Sequence, residues 1–264
     1  MLRRFLLSLT LSAFCCASAH AGCDPVRFGY LDQHRPPYWL GQGTEVPARP
    51  GASVELVRRF TASVGCPVAL KRMPVLRIRP ALILGEIDFA PTDAGAENTA
   101  GIVFPRDKNN KLDVERSVPL NMVVFVRASD QIARDADPFS YFKGKIVGTT
   151  LGSAYADRLR QSGMEVDTGA TNVARNFEKL RQNRIAGFVV SVISPNDMDA
   201  YVAAKYGGQI VRLPQVLYSD HIWLAANQHY YDTHRPQVEA MWNWLGGPGK
   251  KEFAALLDKY SGQQ

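Results

Sequence analysis

Apolar residues in the first part of the chain follow strand-like runs and helix-like spacings in turn. From Ser53, which can cap a first turn, apolar side chains recur at helical spacing as far as Gly65. The other predicted elements of this block are the strands Val26–Leu31, Pro67–Lys71 and Ile87–Pro91, and a short helix Pro80–Gly85 with Pro80 in its first turn. This β-α-β-α-β order implies a mainly parallel sheet with helices on the outside.

The alternation restarts after the apolar run Asn121–Val126. The predicted strands of this second block are Lys145–Thr149, Glu165–Asp167, Ile185–Ser191, Gln209–Leu213 and His221–Ala226. Its predicted helices begin at Gly152-Ser153, at a cap on Asn172 and at a cap on Ser194, and two more cover Arg235–Leu245 and Lys250–Tyr260. Because the blocks separate near Val118 and again near Leu217, we expect a discontinuous lobe 1 (22–118 and 217–264) and a lobe 2 (119–216).

The N-terminus has the features of a secretory signal peptide. A basic start at Arg3-Arg4 precedes an apolar run, and Ala19-His20-Ala21 matches the small-x-small pattern that signal peptidase cleaves. The run is shorter than the ~20 residues that span a bilayer. We expect residues 1–21 to be a signal peptide and the mature protein to be periplasmic; the alternatives are a poorly formed N-terminal helix and a lipoprotein anchored at Cys23.

Processing changes the composition arguments. The 264-residue chain has 31 basic and 25 acidic residues, a net charge of +6, and 46% hydrophobic residues, which excludes a disordered or collagen-like protein. Loss of Arg3 and Arg4 leaves 29 basic residues against 25, a net charge of +4, and these are scattered along the chain. Nucleic-acid binding is therefore not expected.

The cysteines also fall into two groups. Cys15 and Cys16 lie in the predicted signal peptide, which leaves Cys23 and Cys66. Two thiols in an oxidising compartment most simply form one disulfide. The two cysteines precede strands that are expected to be parallel neighbours, so the Cys23–Cys66 pairing is geometrically reasonable.

Several short segments, in order, resemble one family. They are Val26-Arg27-Phe28-Gly29-Tyr30 with Pro36-Pro37-Tyr38, Leu82-Ile83-Leu84-Gly85-Glu86-Ile87-Asp88, Val103-Phe104-Pro105, Phe142-Lys143-Gly144-Lys145-Ile146-Val147-Gly148 with Gly152-Ser153, and Leu180-Arg181-Gln182-Asn183-Arg184-Ile185. These segments are similar to those of solute-binding protein family 3, the substrate-binding components of polar amino-acid ABC transporters.

The resemblance implies an α/β fold of the two-lobed periplasmic-binding-protein (type II) kind, with a two-strand hinge and a central cleft that closes on a ligand. It also implies a small-molecule solute and a membrane ABC permease as partners. We expect a monomer that takes no cofactor and no metal.

The family's usual amino-acid anchors are absent. The Arg that pairs with the ligand carboxylate should fall in Glu97-Asn98-Thr99-Ala100, where there is none, and the Asp that holds the ammonium falls at Ser191. Because an unpaired buried ion loses several kcal/mol of hydration, an α-amino acid held in the usual way is not expected.

Other residues are candidates for contacts to a polar, anionic or amino-acid-like solute. They are the fork of Arg77 for an anion, the aromatic wall Tyr38-Trp39, the backbone amides of Gly152-Ser153, and Thr92, Asp93 and Ser191 at strand ends. Each has an ordinary structural alternative: a solvated charge for Arg77, packing for the aromatic pair, and caps or turns for the Gly-Ser and Asp93 positions.

Enzyme signatures are weak. The histidines do not have helical zinc spacing, and the mature chain contains no nucleophile elbow, phosphate-loop motif or Cys-x-x-Cys. We therefore expect a solute-binding protein and not an enzyme. The alternative is an exported ligand sensor or a dehydratase-like enzyme on the same fold, for which Asp93 and Arg77 are the catalytic candidates.

Overall fold

A computed structural model describes residues 23–261 of the chain. The predicted signal peptide, residues 1–21, lies outside these residues. The strands are β1 (Val26–Leu31), β2 (Val68–Met73), β3 (Phe89–Asp93), β4 (Ile102–Val103), β5 (Val118–Arg127), β6 (Ile146–Thr150), β7 (Glu165–Ala170), β8 (Gly187–Val192) and β9 (Ile210–Asn227). The helices are α1 (Ala52–Ala62), α2 (Val75–Ile83), α3 (Pro138–Phe142), α4 (Ala156–Gln161), α5 (Val173–Arg181), α6 (Asp199–Tyr206), α7 (Gln228–Trp244) and α8 (Lys250–Ser261).

The strands form one sheet in the order β2-β1-β3-β9-β5-β8-β6-β7, with β4 on β9. β1 is parallel to β2 and β3, and β6 is parallel to β7 and β8, as the β-α-β pattern predicts. The long strands β5 and β9 lie between these two parallel groups and pair antiparallel with each other. We call β1–β4 with α1, α2, α7 and α8 lobe 1, and β6–β8 with α3–α6 lobe 2; β5 and β9 join them.

Strand β9 is longer than predicted. The sequence analysis places two strands at Gln209–Leu213 and His221–Ala226, whereas one strand runs through both. Its register with β5 is irregular between Arg212 and Val216, which is where Pro214 lies. Proline has no N–H to donate, so it is tolerated at such an irregularity and does not end the strand.

Each lobe has its own aromatic centre. In lobe 1 the ring of Phe89 lies 5.3 Å from that of Phe60 and 6.4 Å from that of Trp242. In lobe 2 the ring of Phe177 lies 5.3 Å from that of Phe125 and 5.0 Å from that of Phe188. Trp242 lies on α7, so this C-terminal helix packs on β3 of lobe 1. The residue bounds of the lobes themselves stay a prediction.

Helix starts differ from the predictions where turn residues resemble caps. The cap of α1 is Gly51, and Ser53 lies inside the helix. Helix α2 begins at Val75 and includes Pro80, so the predicted start at Pro80 is wrong. Helix α6 begins at Asp199, five residues after the predicted cap at Ser194.

Two other predicted helix starts have clear outcomes. Asn172 caps α5 as predicted, because its side chain accepts a hydrogen bond from the Arg175 amide at 2.9 Å. Helix α7 begins at Gln228, before the predicted Arg235. The backbone at His234 is non-helical and marks a kink ahead of Pro236. The helix predicted from Arg235 onwards therefore corresponds to the part of α7 that follows the kink.

The predicted disulfide is confirmed. Cys23 and Cys66 are bonded, with their Cα atoms 5.1 Å apart, and they precede β1 and β2, whose first residues pair. A sulfur in a disulfide cannot also carry a lipid thioether, so this bond and a lipid anchor on Cys23 exclude each other.

The Gly-Glu-Ile-Asp turn at 85–88 has a structural role. The Asp88 side chain, 3% exposed, accepts hydrogen bonds from the Arg27 backbone amide at 2.7 Å and from Arg27 Nε at 3.1 Å. This hydrogen bonding raises the pKa of Arg27. The turn therefore fixes the start of β3 against β1.

Replacing Asp88 with Ala should lower the free energy of unfolding by about 2 kcal/mol, because the Arg27 amide and guanidinium both lose their partner. The effect is no larger because the Arg27 side chain is partly exposed to water. Denaturant unfolding measures this change. Glu86→Ala is the control: Glu86 is 46% exposed and meets only Arg77, at 3.6 Å. A surface pair of this kind contributes about 0–1 kcal/mol. Equal effects of the two substitutions would contradict the assignment.

Candidate functional site

A small cavity lies between the lobes at the carboxyl ends of β1, β3 and β8. Its volume is about 100 Å³. Ligand crevices of open α/β sheets lie at this edge, so its position alone makes it the candidate site. The residues that line it are Leu31, Arg35, Tyr38, Trp39, Ser53, Leu56, Val57, Pro91, Val118, Leu120, Ser191, Val192, Ile193, Ile222, Leu224 and Phe253.

Arg35 is the one charged residue among the described residues that line this cavity. It lies in the loop after β1, where its backbone carbonyl accepts hydrogen bonds from the amides of Tyr38 and Trp39. Its Nη2 donates to the backbone carbonyl and, at 2.7 Å, to the hydroxyl of Ser191 in lobe 2. Its Nε is buried without a hydrogen-bond partner, and no carboxylate of residues 23–261 forms an ion pair with it.

Arg35 is not among the site residues predicted from the sequence. It directly precedes Pro36-Pro37, the loop used there as a family marker, and it follows the first strand of the sheet. A cation in the first loop after a parallel strand is the signal that points to it. Its partner Ser191 is 156 residues away, so no local pattern brings the two together.

Tyr38 joins the lobes through its hydroxyl. The hydroxyl donates to Asp197 Oδ2 at 2.5 Å and accepts from the Ile193 amide at 2.8 Å, both after β8. Burial raises the pKa of Tyr38 well above its usual value, so the side chain stays a neutral phenol. Tyr38 therefore lies in the predicted wall of the site and also acts as a link between the lobes.

Trp39 and Ser191 also line the cavity. The Trp39 ring stacks on Tyr30 with centroids 5.2 Å apart, so it packs on lobe 1 and presents an aromatic surface to the cavity. Ser191 lies on β8 and supplies the lobe 2 side of the contact with Arg35. The structure thus brings three of the predicted residues, Tyr38, Trp39 and Ser191, together with Arg35.

Three other predicted residues lie outside this lining. The Arg77 side chain is 67% exposed and its nearest carboxylate is that of Glu86 at 3.6 Å. Thr92 is buried and donates to the carbonyl of Ala90 at 3.1 Å. Asp93 accepts from the Gly95 amide at 2.8 Å and meets Arg79 at 3.7 Å, which is the capping alternative. Ligand contacts by these residues stay predictions.

The Gly152-Ser153 segment is a turn and not the start of a helix. Helix α4 begins at Ala156, and the Ser153 amide donates to the carbonyl of Thr150 at 3.1 Å. The predicted helix start at this position, with a free Ser153 amide, is therefore wrong. Gly152 adopts φ of +78°, and a Cβ there would lie 3.0 Å from Val75 Cγ1 at the start of α2. A ligand contact by this segment stays a prediction, but the lobes touch here.

The lobes are in a closed arrangement. Arg35 meets Ser191, Tyr38 meets Asp197 and Ile193, and Val75 packs at Gly152. Glu97, in the segment 97–100 in which the resemblance predicts a ligand-binding Arg, forms an ion pair with Arg106. Side chains of both lobes therefore line the cavity, and the one cation of its described lining comes from the loop after β1.

Asp197 should make the folded protein more stable in acid. Burial raises the pKa of Asp197 above 3.8, and the charge of Asp199 acts in the same direction, whereas hydrogen bonds from Tyr38 and the amides of Ser194 and Ile193 oppose the shift. A carboxyl with a raised pKa in the folded form binds more protons there than in the unfolded form. The contribution of Asp197 to stability is therefore expected to be lost as the pH rises from 3.8 to the raised pKa.

Denaturant unfolding of the ligand-free wild type and of Asp197→Asn across this range should show the wild type losing stability relative to the variant as the pH rises. Asp197→Asn keeps the acceptor for Tyr38 but cannot titrate, so the variant should lose this dependence. The same pH dependence in the variant would rule out Asp197 as its source.

The described residues contain neither a group of three or more His, Cys, Asp or Glu that could hold a metal ion nor a helix long and apolar enough to cross a membrane.

Solved structures show which fold this is, although no protein-family model and no curated protein sequence matches the chain. The GluR0 ligand-binding core from Nostoc punctiforme in complex with L-glutamate is similar with a TM-score of 0.65 and 18% identity, covering 89% of this chain and 99% of that one. The P235GK mutant of ArgBP from T. maritima is similar with a TM-score of 0.66 and 17% identity, covering 90% of this chain and 95% of that one. The substrate-binding protein of an amino acid ABC transporter is similar with a TM-score of 0.62 and 17% identity, covering 91% of this chain and 100% of that one.

These likenesses, together with β5 and β9 joining two α/β lobes, establish a two-lobed periplasmic-binding-protein fold of type II with a central cleft. The fold class predicted from the sequence is confirmed. At identities of 17–18% the comparison carries the fold and not the ligand.

Proposed function

We propose that this protein is a solute-binding protein that captures a small anionic solute between its lobes and presents it to an ABC permease. The observation that carries the proposal is Arg35, a cation without an ion pair within residues 23–261, in a cavity to which both lobes contribute. A half-buried cation that has no ion pair within residues 23–261 attracts an anion, so an anionic solute has a direct electrostatic reason to bind here.

Closure of the lobes supplies the mechanism. Arg35 and Tyr38 come from lobe 1, while Ser191 and Ile193 come from lobe 2. A solute that contacts both lobes stabilises the closed form by its differential affinity for that form. The permease would then distinguish loaded from unloaded protein by the relative position of the lobes.

The setting of this function follows from the sequence. A signal peptide at 1–21 would export the protein to the periplasm, where the Cys23–Cys66 disulfide persists. The lobes that we propose are residues 22–118 with 217–264, and 119–216, and the protein would act as a monomer. The enzyme alternative gains no support, because Asp93 caps a turn and Arg77 lies outside the cavity.

Native mass spectrometry of the purified protein tests capture directly. We expect a co-purified anionic solute of low mass, removed by unfolding and refolding. Adding it back at a hundredfold excess over its dissociation constant should stabilise the protein by about 2.7 kcal/mol. Turnover of the solute, in place of stoichiometric binding, would contradict the proposal.

A further inference from the structure

We infer that the cavity accepts a short apolar monocarboxylate and rejects the zwitterionic amino acid of similar size. This inference rests on the proposed function and narrows its solute class. Three properties of the cavity lead to it: its charge, its hydrogen-bonding groups and its volume.

The charge of the lining favours an anion with no accompanying cation. Arg35 is the one charged residue of the described lining, and no Asp or Glu belongs to it. The nearby Asp197 is already engaged by the Tyr38 hydroxyl and by the Ser194 amide at 2.7 Å. An ammonium group enclosed here would lose its water without gaining a carboxylate, and such an unpaired ion is strongly disfavoured.

The hydrogen-bonding groups match one carboxylate. Arg35 lines the cavity, its Nε is buried without a hydrogen-bond partner, and a guanidinium carries its donors in the planar fork that suits a carboxylate. The Ser191 hydroxyl lies 2.7 Å from Arg35 Nη2 and accepts from it. Leu31, Val118, Leu120 and Ile222 supply apolar surface for the rest of the molecule.

The volume limits the solute to a few atoms. The cavity measures about 100 Å³. An apolar protein cavity of about 150 Å³ holds one benzene molecule, with its six carbon atoms. A carboxylate with two to four carbons therefore suits this cavity, whereas a long fatty acid does not.

Isothermal titration calorimetry on the full chain, unfolded and refolded to remove any bound solute, tests the inference with matched probes. Isobutyrate and alanine have the same shape but differ by a methyl against an ammonium group. Propionate and propionamide differ only in charge, and octanoate exceeds the volume. We expect isobutyrate to bind at least about tenfold more tightly than alanine, propionate about tenfold more tightly than propionamide, and octanoate about tenfold more weakly than propionate.

The outcomes separate this inference from the proposed function. Alanine binding as tightly as isobutyrate, or propionamide as tightly as propionate, would overturn the monocarboxylate assignment and leave a solute-binding protein in place. Binding of a different anion, identified by mass spectrometry, with no heat from isobutyrate or propionate would do the same. No binding of any probe and no co-purified solute would overturn both.

Discussion

Arg35→Ala is expected to weaken binding of the anionic solute by at least about thirtyfold. Removing one partner of a buried charge-assisted pair costs about 2–5 kcal/mol, which corresponds to this range or more. Without solute, the free energy of unfolding should change by less than about 1 kcal/mol, because a half-buried cation without an ion pair in residues 23–261 is lost together with its bonds to Ser191. Calorimetric titration with propionate measures the first effect and denaturant unfolding the second.

Two matched variants separate charge from geometry in this result. Arg77→Ala removes an exposed cation outside the cavity and should leave the affinity within about twofold. Arg35→Lys keeps the charge but loses the planar fork, so it should bind with intermediate affinity. A large loss in Arg77→Ala together with wild-type affinity in Arg35→Ala would reverse the assignment of the anchor and restore the anchor that the sequence predicts.

The sequence predicts the fold well because the fold depends on local patterns repeated along the chain. The alternation of apolar runs and helical spacings yields the two parallel groups of strands, and Asn172 caps its helix through a residue only three positions away. The errors fall where one residue type serves two purposes. Pro80 lies within α2 and Pro214 lies within β9, although proline usually marks the end of an element.

The site was less predictable, since it depends on contacts between distant segments. Tyr38 and Asp197 are 159 residues apart, and Arg35 and Ser191 are separated by a similar distance along the chain. The resemblance directs attention to the segment 97–100, in which Glu97 forms an ion pair with Arg106. The cation of the cavity is on another loop, and sequence spacing does not reveal which loops meet when the lobes close.

Removing the disulfide should lower the stability of this protein more than Asp88→Ala does. Cys23 and Cys66 are separated by 43 positions, and closing a loop of that length in the unfolded chain corresponds to about 4 kcal/mol in the chain-entropy description. For a chain of this size that loss lowers the melting temperature by about 8–16 °C. The double variant Cys23→Ser/Cys66→Ser, unfolded by heat and by denaturant, measures it.

The same variant tests where the disulfide acts. The bond lies at the amino ends of β1 and β2, whereas the cavity lies at the opposite, carboxyl ends of the strands. Because the constraint acts mainly on the unfolded chain, propionate affinity at a temperature where the variant is folded should stay within about twofold of wild type. A loss below about 1 kcal/mol would show that the two chain segments stay close in the unfolded state without the bond. A large loss of affinity in the folded variant would instead place the disulfide in the coupling between the edge of lobe 1 and the cleft.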